Sequence, residues 1–289
     1  MTRVVVVGDA VLDVVARPTA PMRPGADVRA EIRVGVGGQG ANLAVRLARL
    51  GVPSVELVCG LGDDPAAAIV LDALEAEGVT VSPVTVDATG SVVILVDAAG
   101  ERTMLSQRTP FGSAARARLQ HDADWIVVSG YLLDEPNAPV LAESVAARAA
   151  RRVLVGCTVA GDAAVWVAAA TALAPDLTVL NRDEADALDA TPGFAGRGLV
   201  VTDVAGATAS IGGVTAEVRR RGGEVAVDTT GAGDAFAAGL IASLAREAWP
   251  PSAAELERAL AAAADLASAV ARTPGAQGRV PAEAGRSRA

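Results

Sequence analysis

The chain of 289 residues contains no lysine: its 25 basic residues are all arginines. Schiff-base chemistry and the lysine of a classical phosphate loop are therefore excluded, and any grip on an anion must come from backbone, arginine or metal. Histidine is nearly absent too. The single one, His121, stands in a polar stretch before an apolar run, which leaves zinc sites and Ser-His triads without support and fits a surface position. Cysteine occurs twice, as Cys59 and Cys157, both within apolar runs. Two such cysteines give no disulfide framework and predict reduced, buried thiols in a cytoplasmic protein. No apolar run reaches membrane-spanning length: Ala163 to Ala174, the longest, contains Thr171 and ends before Pro175. Residues Met1 to Gly8 form too short an apolar run, closed by Asp9, to act as a signal peptide. Basic charge is in deficit, with a net charge of −9 and a pI near 4.7. That balance argues against nucleic acid or an anionic membrane as the main partner.

Apolar residues make up 51% of the chain, enough for a substantial core. Short valine-rich runs recur at Val4 to Val7, Val55 to Cys59, Trp125 to Ser129, Val153 to Cys157, Leu177 to Leu180 and Leu199 to Thr202. Runs apolar throughout suit strands covered on both faces. Helical spacing separates them, for example Leu43, Leu47 and Leu50, or Leu256, Leu260, Ala264, Ala267 and Val270. Strands alternating with helices predict an α/β fold with a doubly wound, mostly parallel sheet. Two segments alternate instead: Asp27 to Val34, and a hairpin of Ser91 to Asp97 and Thr103 to Gln107. Half-exposed strands of this kind predict a small separate sheet, placed as a lid. The expected division is a core of 1–12, 37–88 and 110–281, a lid of 13–36 and 89–109, and a frayed tail, 282–289. One lid face would carry Ile32, Val34, Val93 and Leu95, more than so small a sheet can bury alone, and this predicts a homodimer through the lid.

The densest chemical signal is Asp228-Thr229-Thr230-Gly231-Ala232-Gly233-Asp234, which runs from the alternating Val225 and Val227 into an apolar helical stretch from Ala235. A glycine turn between strand and helix converges backbone N–H groups and the positive helix end on one point, which suits phosphate. Gly231, Ala232 and Gly233 would frame that anion hole. Asp234 at its rim cannot bind phosphate, so its chemical use is to take a proton from an attacking hydroxyl. The plainer alternative is a helix start capped by Asp234. A second glycine run, Gly35 to Gly40, matches G-x-G-x-x-G and suggests an NAD-type oxidoreductase. Against that, the preceding strand is of the alternating kind, and no acid ends the strand near Cys59. Asp13, after the first strand, and Asn42 suit two hydroxyls of one ligand. Asn181 to Glu184 reads either as an approach to a magnesium shell or as a helix cap, and Arg219 to Arg221 as a solvated charge run.

Gly37-Gly38-Gln39-Gly40-Ala41-Asn42-Leu43-Ala44 with Leu50-Gly51, and Asp228 to Phe236, resemble the two signatures of the ribokinase-like carbohydrate kinases, the PfkB family. The similarity extends to Gly60-Leu61-Gly62-Asp63-Asp64, Thr89-Gly90, Asn181 to Glu184 and Arg272 to Ala276. The resemblance implies a Rossmann-like core with a β lid, ATP and magnesium, and transfer of a phosphate to a sugar or nucleoside hydroxyl. It implies Asp234 as base; Asp13, Gly38 and Asn42 toward the sugar; Asn181 and Glu184 toward magnesium through water; Thr202 and Gly206 in the nucleotide loop; and Asp228 with Thr230 around a monovalent cation such as potassium. Three departures stand out. Val11 replaces an asparagine of many sugar-binding members, Gln39 replaces the lysine of ribokinase, and Val201 to Gly206 lacks the T-x-G-x-x-G spacing. The first two suggest a pocket less hydrophilic than ribose demands, favouring a nucleoside or modified sugar. The third leaves open a sugar-binding regulator without catalysis.

Overall fold

Valines at successive positions of the first strand divide between two cores, and that division fixes the architecture. In β1 (Arg3–Val7), Val4 and Val6 face one apolar cluster while Val5 and Val7 face another. A strand buried on both faces needs helices on both sides. The computed structural model describes residues 1–119, 122–134, 138–158, 162–189, 197–219, 228–273, 275–280 and 283.

After β1 the chain forms β2 (Val11–Pro18), β3 (Ala30–Gly37), α1 (Gln39–Arg49), β4 (Ser54–Leu61), α2 (Pro65–Ala76), β5 (Thr80–Thr85), β6 (Ser91–Val96) and β7 (Arg102–Gln107). There follow α3 (Gly112–Ala115), β8 (Trp125–Ser129), a 3-10 turn over Gly130–Asp134, α4 (Ala138–Ala146), β9 (Arg151–Val155), α5 (Ala163–Leu173), β10 (Leu177–Asn181) and α6 (Arg182–Asp189). The last elements are β11 (Gly198–Asp203), β12 (Gly206–Ile211), β13 (Val214–Arg219), α7 (Ala232–Leu244) and α8 (Ala253–Ala271).

Nine strands make the large sheet, in the order β13-β12-β11-β10-β9-β8-β1-β4-β5. Pairing is parallel from β5 to β11 and antiparallel across β11, β12 and β13. The six valine-rich runs each fall on a strand of this sheet. Sequence reading assigned no strand to 80–85 or 206–219. The edge hairpin exists because Asp203 Oδ1 accepts from the N–H groups of Ala205 and Gly206, closing one turn, while Gly212 and Gly213 turn the next with positive φ. The strand expected at Val225 and Val227, His121, Arg220 and Arg221 lie outside the described residues, as does the tail apart from Glu283. Both cysteines are buried and free. No described helix is long and apolar enough to cross a membrane.

The small sheet has the order β3-β2-β6-β7. Its strands reach Val11 and Gly37, so Asp13 lies inside a strand and not in the loop that sequence reading gave it. Val11, Val92, Ile94 and Val96 form a buried cluster on the side toward the core. On the opposite side the register aligns Val34, Val14, Val93 and Leu105 in one row, with Ile32, Ala16 and Leu95 in the next.

Helix α1 meets β1 through glycines. A Cβ on Gly40 would lie 2.6 Å from Gly8 Cα, and one on Gly8 would lie 2.6 Å from Gly40 Cα. No side chain at the far end can yield there, because backbone meets backbone. Gly40→Ala is therefore expected to destabilise the fold by about 3 kcal/mol. Urea unfolding of the two proteins, read by circular dichroism, measures this, and a midpoint equal to wild type would contradict it.

Candidate active site

Helix α7 begins on a left-handed glycine, Gly231, with φ 74°. Only glycine serves there readily, since a Cβ would also meet Ala276 at 2.8–2.9 Å. Ala232 N–H bonds back to Thr229 O and Ala235 N–H to Gly231 O. The N–H groups of Gly233 and Asp234 have no i−4 carbonyl, so they face beyond the helix end with the positive end of its dipole. Ala232 and Gly233 line a cleft of about 600 Å³ together with Asn181, Thr202, Gly206 and Thr229. Its far wall is apolar, made by Phe236 of α7 and by Ala264, Ala267 and Ala271 of α8. Sequence reading took Ala264 and Ala267 only as a core-facing stripe.

A second cavity, of about 250 Å³, opens where the lid meets the ends of β1 and β4. Asp9, Arg108, Tyr131, Asp134 and Thr158 give it polar walls, and Val11 and Phe111 apolar ones. Arg108 bonds Asp9 at 2.5 Å, and its guanidinium stacks 4.0 Å from the centre of the Tyr131 ring. Sequence reading missed all three. Asp9 directly follows the glycine that ends β1, at the carboxyl edge where parallel sheets hold ligands, and that position was the available signal.

Asp234 is related to both cavities through its neighbours. Its helix neighbours line the larger one, while Asp9 and Tyr131, with which it interacts electrostatically, line the smaller. Asn42 Nδ2 donates to Asp234 Oδ2 at 2.8 Å. Burial pushes the Asp234 carboxyl up to about 6; the Asn42 and Gln39 hydrogen bonds and Arg46 oppose the rise, and Asp9 adds to it. Asp13 is likewise pushed up to about 6 by burial and by Asp9, against the pull of Arg108. Its carboxylate lies against the Cα of Gly37, where only glycine leaves room.

The remaining sequence candidates divide by how far their polar groups are already used. Asn42 is engaged at both ends, its Oδ1 accepting from Gln277 and its Nδ2 donating to Asp234, which leaves one N–H and one lone pair of the amide for a ligand. Gly38, with φ 95°, packs on the Asp9 carbonyl. Asn181 and Glu184 form a reciprocal cap: Asn181 Oδ1 accepts from Glu184 N–H, and Glu184 Oε2 accepts from Asn181 N–H. Burial raises the Glu184 carboxyl above its usual range. One oxygen of Glu184 remains for a hydrated cation, and no cluster of three or more acidic, histidine or cysteine groups occurs among the described residues. The arrangement fits a magnesium ion carried mainly by phosphate and water. Thr202 Oγ1 bonds Leu180 O, and Gly206 starts β12.

Asp228 accepts from Thr230 N–H at 2.8 Å and Gly275 N–H at 3.0 Å, and forms an ion pair with Arg102 of β7. These bonds outweigh burial and hold its carboxyl below the usual range. A potassium ion on this carboxylate would have to displace the guanidinium, so Asp228 as it stands does not fit the cation-binding role expected of it. Two glycines of the G-x-G-x-x-G run serve packing, Gly37 against Asp13 and Gly40 against Gly8, while a Cβ on Gly35 would meet nothing.

Residues 1–283 match the sequence profile of the pfkB family of carbohydrate kinases. A fructokinase from Klebsiella pneumoniae is 32% identical over 279 residues, covering 85% of this chain and 88% of that protein. Among solved structures, a ribokinase from Thermotoga maritima superposes with a TM-score of 0.78 at 19% identity over 98% of both chains. An adenosine kinase from Sinorhizobium meliloti gives 0.75 at 22%, again over 98% of both. The fold is the one those structures share, and the profile match spans nearly the whole sequence: the chain belongs to the pfkB family of carbohydrate kinases.

Proposed function

We propose that the chain transfers the γ-phosphate of ATP to a hydroxyl of a monosaccharide, with Asp234 as general base. The observation that carries this reading is the place of Asp234, whose neighbours line both a cleft that ends in free helix N–H groups and a smaller cavity with polar walls. ATP would lie in the larger cleft, its base against Phe236 and the alanines of α8, its phosphates toward Gly233. Magnesium, when bound, supplies charge neutralisation on those phosphates, with Asn181 and Glu184 nearby. The acceptor hydroxyl would approach Asp234 from the smaller cavity. With its carboxyl near 6, Asp234 is ionised at neutral pH yet basic enough to take the proton as the oxygen attacks. The N–H groups of the helix end face the charge on the transferring group.

Monosaccharide is preferred over nucleoside on size and polarity. A cavity of about 250 Å³ lies below the ~300–1,000 Å³ common for larger ligands. Asp9, Asp13 and Arg108 suit hydroxyl recognition, and the relative named fructokinase accords with a sugar. Membership of the pfkB family accords with a cytoplasmic enzyme. The outward row of Val34, Val14, Val93 and Leu105, in which Leu105 is 59% exposed, supports a second copy of the chain as the occupant of that lid face, because a self-complementary apolar patch closes a twofold dimer. Light scattering is expected to give a dimer mass that Val34→Arg reduces to a monomer; a monomeric wild type would refute the assignment.

Asp234→Asn preserves shape but removes the proton acceptor. Turnover with ATP and the best sugar of a panel is expected to fall by about 10²- to 10⁴-fold with little change in either KM. Wild-type turnover should decline as pH drops through about 6, where the carboxyl protonates. Near-normal activity of the variant would rule out this role.

Asp13→Asn tests the acceptor side and the linkage together. Loss of the charged acceptor should raise the sugar KM and leave ATP affinity intact. Because folding raises this carboxyl, the native state binds the proton more tightly than the unfolded chain, so wild-type stability from this group is present below about 4 and is lost as pH rises through about 6. The variant is expected to melt higher than wild type at pH 7.5, with the gap closing toward pH 4. An equal gap at both pH values would contradict the linkage.

A further inference from the structure

The amide of Asn42 bonds Asp234 and is held from behind. Asn42 Nδ2 donates to Asp234 Oδ2 at 2.8 Å, while Gln277 Nε2 donates to Asn42 Oδ1 at 3.0 Å. A primary amide is nearly symmetric in shape but opposite in polarity at its two ends, so it can turn its oxygen where its nitrogen was at little steric cost. A donor fixed at the oxygen end opposes that turn.

We infer that Gln277 is a positioning residue for the phosphoryl transfer, pinning the Asn42 amide so that its NH2 group faces the Asp234 carboxylate. The inference rests on the reading of Asp234 as base. An unpinned amide that presented its oxygen would set acceptor against acceptor. The carboxylate would then rotate away or take up a proton, and either change removes the base at neutral pH.

The pin is itself fixed. Gln277 belongs to the segment after α8, and that segment is clamped by α1: Arg46 Nη2 donates to Ala276 O at 2.7 Å and Arg49 Nη1 to Gln277 O at 2.7 Å. Arg46 further pairs with Glu283 at 2.5 Å, where both side chains are buried. The segment thus cannot drift without breaking a buried ion pair. Asp9 beyond β1, Arg46 of α1 and Tyr131 of the 3-10 turn are the other charged or titratable groups that act on Asp234, and substitution of Gln277 leaves them in place.

The test compares Gln277→Met, which keeps length and removes the donor, with Gln277→Glu, which accepts from Asn42 and inverts its polarity. Thermal unfolding first establishes that both fold. The expected result is a kcat lower by about tenfold, both KM values within about twofold of wild type, and an acid limb of the kcat–pH profile displaced upward in both variants. Gln277→Met separates polarity from charge, because it adds none. Wild-type kcat and acid limb in Gln277→Met would overturn the proposal, as would a raised sugar KM with unchanged kcat, which would make Gln277 a substrate contact. Should Gln277→Met fail to fold, Gln277→Leu, which likewise lacks the donor, carries the same readouts. Asp234→Asn, measured alongside, separates the two claims: if it stays active the base assignment is wrong, whereas if it is inactive while the Gln277 variants behave as wild type, only the positioning role falls.

Discussion

The contact of Gly8 against Gly40 sets where everything else in the site stands. It brings the first turn of α1 onto the end of β1, where Ala41 N–H bonds the Asp9 carbonyl at 3.0 Å and Gly40 N–H approaches the Asp9 carboxylate at 3.4 Å. From that fixed start the helix period aims Gln39, Asn42 and Arg46, spaced three and four apart, along one side. These three side chains meet Asp234, Gln277 and Glu283. A buried polar stripe is costly unless every group finds a partner. Here the stripe is matched by the start of α7 and the segment after α8, with Arg46 Nε left unpaired, so the same contacts that hold α1 also orient Asp234.

The absence of lysine gives these contacts a particular character. Arginine presents a planar fork of five donors that one carbonyl or carboxylate cannot exhaust. Arg49 illustrates it, bonding both oxygens of Glu77 and the carbonyl of Gln277. Around Asp234, by contrast, the direct side-chain donor is the neutral amide of Asn42. A cation in direct contact would hold the carboxyl low and make it a weaker base, whereas amides orient it and leave it near 6. Gln39, read in the sequence as a loss of polarity for the sugar, is better understood by what it does to Asp234.

Much of the large sheet was legible because its strands are valine runs buried on both faces, and periodicity alone reports that. The edge hairpin of β12 and β13 was not, since Thr208, Ser210, Thr215 and Glu217 dilute its apolar positions and its turns depend on Asp203 and two glycines. The small sheet was half legible: alternation in β3, β6 and β7 marked it, while β2 ran on from β1 in a nearly continuous apolar stretch and hid its change of sheet. In the site, the glycine-framed turn announced Asp234, because glycine and acid at a helix start have few other joint uses. Asp9 with Arg108, and Asn42 with Gln277, pair residues 99 and 235 positions apart. Such pairs have no local signature, and only the closure of the fold creates them.

Two ion pairs join the lid to the core at opposite ends of the site, Arg102 to Asp228 beside the helix end and Arg108 to Asp9 in the smaller cavity. Arg102 opens β7, the edge strand of the small sheet, and Arg108 directly follows it. The Arg108 side chain is 38% exposed and that of Arg102 22%, so solvent and salt weaken these links more than they weaken the enclosed amides around Asp234. The arrangement separates two demands. A lid must release product, which weak and screened contacts permit, and a base must keep its orientation through every opening. Placing charge at the lid and neutral hydrogen bonds at the base meets both, because displacement of β7 breaks neither the Asn42 bond to Asp234 nor the clamp of Arg46 on the segment that holds Gln277.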